Sequence, residues 1–371
     1  MPGLYFHIPF CAQKCGYCDF YSFAPTEAQM DAYRDALCRS IANYAADVTE
    51  PFDSVYFGGG TPSFFGGERL KAVLCFARSV FPITNDAEIT VECNPSSTSL
   101  PLLQALKTAG VNRISLGVQS ALKNERQLLG RNSTGDRVRL AAENCRKAGI
   151  ENLSLDLMLG IPAQTTETLD ESLGFLLSLQ PQHISAYLLK IEDGTPLAAK
   201  KDTLPFPDED SVCDLYLHAA AALEAHGLLQ YEISNFALPG FESRHNLHYW
   251  RDEAYLGLGP AAHSFWSGKR FYYPRDFDAF LRGDAPVRDG KGGEKDEFCM
   301  LRLRLTEGLS DRAFFARFGE HLPQKLFDTA KALEPYGLLH VSGDTITLTK
   351  QGFLVSNSVI GKLLEAFTAS P

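Results

Sequence analysis

Three cysteines, Cys11, Cys15 and Cys18, fall within eight residues in YFHIPFCAQKCGYCDF. Thiolates are soft ligands, and the C-x₃-C-x₂-C run invites a metal reading. A structural zinc wants four ligands, usually as two close pairs, and no second pair follows this run. A redox Cys15–Cys18 pair leaves Cys11 over. A [4Fe–4S] cube held by three thiolates leaves one iron without a protein ligand, free to take a small molecule. Zinc with a distant fourth ligand, a redox pair and an iron–sulfur cluster all stand at this point.

The elements that must position these thiols have a clear rhythm. Short β-branched or aromatic runs recur at 4–8, 54–58, 88–93, 113–119, 153–159 and 183–189. Between them lie stretches of helical period, such as AQMDAYRDALCRSIANYA and DRVRLAAENCRKAG. Strand then helix, repeated six times, predicts parallel strands with crossovers. The runs read as near-continuously apolar, as for strands covered on both faces. The fold expected is an α/β protein with a partial (β/α)6 barrel. In such barrels ligands bind at the C-terminal strand ends. The cysteines follow the first run, GGGTPS the second, and Glu92 ends the third. Gln119 ends the fourth, Asp156 lies in the fifth and Tyr187 in the sixth, so all are expected at one mouth.

Composition narrows the partners. The 371 residues suffice for a large domain and a smaller one, and the net charge of −10 argues against nucleic acid. No run reaches the ~18 apolar residues of a membrane span, and no export signal opens the chain. Nine cysteines, six of them scattered, suit a reducing cytoplasm, which is the expected location.

C-x₃-C-x₂-C with a following aromatic and GGGTP resembles the radical SAM (S-adenosylmethionine) superfamily. That resemblance implies a [4Fe–4S] cluster on Cys11, Cys15 and Cys18 whose open iron is chelated by SAM. With ECNP, RISLGVQS, LDLMLGIP, YEISNFA, HNLHYW and LGLGPAAHS it is similar to relatives of the oxygen-independent coproporphyrinogen III oxidases, and among them the HemW-type haem chaperones. The likeness runs from about residue 4 to 266. It implies SAM contacts at Tyr5, Tyr17, Gly59, Gly60, Thr61, Glu92, Gln119, Arg131 and Asp156. The glycines are expected to let a ligand approach backbone. An Asp inside LSLDLML is costly unless paired, so a structural Asp–Arg pair is the competing reading of Asp156.

Two departures separate the chain from the oxidases. Their fourth cysteine, two residues after the third, is Phe20 here, and the strand begins at Leu4 without their N-terminal extension. Both fit the chaperones. HNLHYW supplies an imidazole suited to haem iron and rings that can flank a porphyrin. By resemblance His245, Asn246, Tyr249 and Trp250 bind haem, with His248, His263 and Cys213 as rival iron ligands. The expected function is a haem chaperone that delivers haem to a recipient protein. The alternative is an oxidase that decarboxylates porphyrinogen propionates with a SAM-derived radical. Cluster-dependent homodimerisation and peripheral membrane association are further expectations. Residues 286–371 read as a smaller helical, winged-helix-like domain after a core of 1–285, across a Gly- and charge-rich linker at 284–296.

Overall fold

The structure, a computed structural model, describes residues 1–368. Six parallel strands follow one another in space as in sequence: β1 (Gly3–Ile8), β2 (Phe52–Gly59), β3 (Ile83–Cys93), β4 (Arg113–Gln119), β5 (Asn152–Leu159) and β6 (His183–Leu188). Helices such as Glu27–Asn43, Gly67–Val80 and Gly135–Lys147 carry the crossovers. Their starts are written locally. Thr26 and Gln29 form a capping box, and Ser99, Thr134 and Thr165 each accept from a first-turn N–H.

The sheet does not stop at six strands. Beyond β6 lie β7 (Leu229–Gln230) and β8 (Asn235–Ala237), with β8 antiparallel to β6. Beyond β1 comes β9 (Tyr255–Leu258), parallel to it, then antiparallel β10 (His263–Trp266), β11 (Lys269–Tyr272) and β12 (Val287–Lys291). The twelve-stranded sheet is open, because β12 and β7 end it without meeting. Part of the expected linker is therefore strand: Val287 pairs with Tyr272.

The apolar reading of both strand faces needs correction. Most apolar residues of these strands share one parity: Leu4, Phe6 and Ile8, then Val55 and Phe57, Ile114, Leu116 and Val118, Leu153, Leu155 and Leu157, all in the main buried core. This face meets the helices. The other parity carries Tyr5 and His7, Ser54 and Tyr56, Glu88 and Glu92, Arg113 and Ser115, Ser154 and Asp156, of which Glu92, Ser115 and Asp156 line the cavity at the strand ends. Alternation with period two separates a dry outer layer from a polar hollow.

After β12, helices Lys295–Arg302, Asp311–Phe318 and Gln324–Leu333 precede a small sheet of β13 (Leu309–Ser310), β14 (Leu339–Ser342) and β15 (Thr345–Leu348), and Ser356–Thr368 closes the described chain. The expected β-wing is the β14–β15 hairpin. Phe298, Leu303, Phe314 and Leu363 belong to the same apolar core as the barrel's outer layer. Arg251 and Glu307 at 3.0 Å, and Thr306 N–H donating to Tyr231 O at 3.0 Å, tie the segment to the strand region.

Candidate functional site

The strand ends open on a cavity of about 480 Å³. Its wall includes Cys11, Cys15, Cys18, Tyr17, Gly59, Gly60, Thr61, Glu92, Gln119, Arg131 and Asp156. Residues predicted from five strands and the cysteine loop thus meet at one mouth. That loop is stitched in place by backbone: Cys11 N–H donates to Phe23 O, Gly16 N–H to Leu129 O and Leu197 N–H to Gly16 O. Cys11 Sγ lies 3.3 Å from Thr61 Oγ1, which joins the loop to the GGGTP turn. Among the described residues no three Cys, His, Asp or Glu groups gather as a single metal ion requires. Each thiolate of a cubane holds a different iron, so three such thiols need not converge on a single point.

Two of the three glycines are also needed by the chain's own packing. A Cβ on Gly59 would strike the His7 ring and one on Gly60 the backbone of Phe10 and Ile8. Both glycines let β2 press against β1, and Gly59 also has φ +107°. Glu92 receives the Tyr56 hydroxyl at 2.8 Å and the Gly59 N–H at 3.2 Å. Burial pushes its carboxyl up to about 7 against the pull of those donors. Burial likewise lifts Asp156 to about 6. Asp156 accepts from Ser115 Oγ at 3.2 Å, and among the described residues no Arg reaches it at ion-pair distance, so the structural Asp–Arg pair does not form. Arg131 instead donates to Tyr17 Oη at 2.9 Å and Gly117 O at 3.2 Å. The Tyr17 ring packs on Leu129, Met158 and Ile161, and burial raises its phenol to about 12.

Tyr5 does not line this cavity, nor do the residues of HNLHYW. The helix Arg244–Trp250 lies under the opposite, N-terminal ends of β1 and β2. Glu88 faces its first turn, accepting from Ser243 Oγ and from the N–H groups of Arg244 and His245. His245 is 1% exposed. Its Nδ1 lies 2.9 Å from Ser54 Oγ and its Nε2 2.8 Å from Tyr249 Oη. His248 donates to Asp53 at 2.7 Å and Glu253 at 2.6 Å. Trp250 lies under the Arg304 guanidinium, and Asn246 is half-buried. His263 is exposed and stacks on Tyr272, while Cys213 sits half-buried on the helix Glu209–Ala225.

Residues 5–176 match the model of the radical SAM superfamily, and residues 296–355 that of the HemN C-terminal domain. The chain is 36% identical to the haem chaperone HemW of Bacillus subtilis, covering 98% of this chain and 99% of that protein. It is also 36% identical to the HemW of Escherichia coli, over 99% and 98%. The chain belongs to the HemW family. The structure of the E. coli coproporphyrinogen III oxidase HemN, a radical SAM enzyme, superposes with a TM-score of 0.83 at 23% identity, over 98% of this chain and 90% of that one. That likeness shows the shared fold. It bears out the α/β radical SAM architecture, with an open mixed sheet and a helical C-terminal region.

Radical SAM membership implies a [4Fe–4S] cluster and SAM. The cavity of this HemW-family protein fits both. Its volume lies in the range of small-molecule sites, three thiols line one wall, and two acids face a ligand that carries cationic groups. Among the described residues two polar atoms there have no hydrogen-bond partner, Gln119 Oε1 and Arg131 Nε. Gln119 also holds φ +71°, a left-handed conformation that a side chain disfavours. Unmet hydrogen-bonding capacity and backbone strain coincide at one wall residue.

Sequence reasoning missed Tyr56, Ser115 and Met158. Period-two counting from Gly58 and Gly117 would have placed Tyr56 and Ser115 on the inner face.

Proposed function

We propose that the protein is a haem chaperone, carrying a [4Fe–4S] cluster on Cys11, Cys15 and Cys18 with SAM in the barrel mouth, and passing haem to a recipient protein. The observation that carries this reading is the full-length correspondence with proteins named haem chaperone. Tyr17, Gly59, Gly60, Thr61, Glu92, Gln119, Arg131 and Asp156 are the proposed SAM-binding residues at the wall, and Tyr5 acts from beneath it. The helix Arg244–Trp250 is the proposed haem element, with His245, Asn246, Tyr249 and Trp250 as its contacts. Iron ligation by His245 requires one ring nitrogen to give up its partner, Ser54 or Tyr249, and the buried ring to be uncovered. The exposed His263 is the rival that needs no such opening. A cytoplasmic site of action, a homodimer and peripheral membrane contact belong to the same reading. Among the described residues no helix is long and apolar enough to cross a membrane.

The test is anaerobic reconstitution followed by two parallel assays. Haem titration should give a saturable complex whose haem moves to an apo-haemoprotein, and coproporphyrinogen III with SAM and reductant should yield no decarboxylated product. Product over many turnovers would make the protein an oxidase and overturn the chaperone reading. Replacing Cys11, Cys15 and Cys18 together by Ala should abolish the brown iron–sulfur absorption. An unchanged spectrum would remove the cluster from these residues.

A further inference from the structure

Three rings cluster in the barrel hollow between the haem-motif helix and the SAM cavity. His245 stacks on Tyr56 with centroids 5.1 Å apart and planes 22° off parallel, and on Tyr5 at 6.1 Å and 27°. Tyr56 stacks on Tyr5 at 6.3 Å. The Tyr56 hydroxyl donates to Glu92 Oε1, whose other oxygen takes the Gly59 N–H. His245 is itself pinned at both nitrogens by Ser54 and Tyr249. A fixed imidazole, a tyrosine ring held on it and a carboxylate held by that tyrosine form an unbroken chain of contacts.

We infer that Tyr56 is a positioning residue for SAM binding and that His245 is the plate that holds it, so the helix proposed to serve haem also sets the geometry of the SAM site. This rests on the proposed role of Glu92 as a SAM contact. The carboxylate has two oxygens and two donors, so its orientation is fixed only while both remain. Without the hydroxyl, Glu92 keeps one bond and can rotate about it. The groups facing Glu92 are Tyr5 from β1, Tyr56 from β2, Arg113 from β4, Asp156 from β5, Tyr187 from β6 and Tyr249 from the helix. Only Tyr56 among these donates to it through a side chain. An ionised Glu92 attracts a cationic ligand, so SAM affinity should rise with pH as this acid loses its proton. The Tyr56 bond favours the ionised form. Its loss moves that midpoint upward.

The experiment uses the full chain with its cluster reconstituted, and labelled SAM in equilibrium dialysis from pH 6 to 9. Glu92→Gln is the control: it should weaken SAM binding and remove the pH dependence centred near 7, leaving only that of Asp156 near 6. Tyr56→Phe keeps the ring stack and removes only the hydroxyl. It should weaken SAM binding about tenfold, the loss of one hydrogen bond to a charged group, and shift the pH midpoint up. His245→Ala should weaken SAM in the same direction. His245→Phe should restore SAM affinity, since a ring returns to the plate, whether or not haem still binds. An unaltered affinity and midpoint in Tyr56→Phe, with Glu92→Gln impaired, would overturn the inference alone. An unimpaired Glu92→Gln would remove the Glu92 reading beneath it. Thermal melting of each variant identifies any that fold poorly, and Tyr56→Phe decides the question should a His245 variant melt early.

Discussion

Gln119→Gly separates a strained wall residue from an ordinary buried one. The left-handed backbone at φ +71° costs a residue with a side chain about 1–2 kcal/mol. The unpartnered Oε1 adds about 1–3 kcal/mol of uncompensated desolvation. Glycine removes both. Against this stand two buried methylenes, about 0.8 kcal/mol each, and about 0.5–1 kcal/mol for the freer unfolded chain. The gain equals or exceeds the loss, so the apo variant should match the parent or exceed it by up to about 3 kcal/mol. Most substitutions at buried positions are destabilising instead. Denaturant titration of apo protein measures this, and equilibrium dialysis on the reconstituted form should show SAM affinity down about tenfold or more. A stability loss above about 1 kcal/mol would refute the strain argument. An unchanged SAM affinity would refute the ligand role of Gln119.

Arg131→Lys should lower SAM affinity about tenfold with the fold intact by circular dichroism, because one ammonium cannot replace the planar fork that serves Tyr17 Oη and Gly117 O together. Burial opposes charge on His248, but its hydrogen bonds to Asp53 and Glu253 outweigh burial and raise its pKa to about 9. A raised histidine pKa contributes stability that is full below about 6.5 and is lost as pH rises through about 9. Unfolding free energy should therefore fall across that window, by up to about 3 kcal/mol, and His248→Gln should flatten the profile. A parent profile already flat from pH 6.5 to 9 would sink this assignment.

Much of the mouth was legible because its residues break local rules. An acid ending ITVE, an aspartate inside LSLDLML and three crowded thiols stand out from any packing pattern, and the strand–helix rhythm says where each must fall. The hollow was not legible in the same way. Tyr5, Tyr56 and His245 are types that suit a core, and only three-dimensional register shows that they stack on one another. HNLHYW stands out as a run, yet its composition does not say which way the helix turns. Glu88, more than 150 residues earlier, meets the first turn of that helix. The flanking strands were hidden for another reason. β7 and β8 are two and three residues long, and VRDGK becomes strand only because β11 offers it partners.

The open sheet bears on how copies of this protein can meet. At one end β12 is exposed at every residue and carries Arg288, Asp289 and Lys291 around Gly290. At the other, β7 offers only Leu229 and Gln230. A strand arriving from a second molecule would meet alternating charge on one side and too short a ladder on the other, both of which blunt edge-to-edge pairing. The hollow can thus stay unclosed without the large sheet growing into its neighbours.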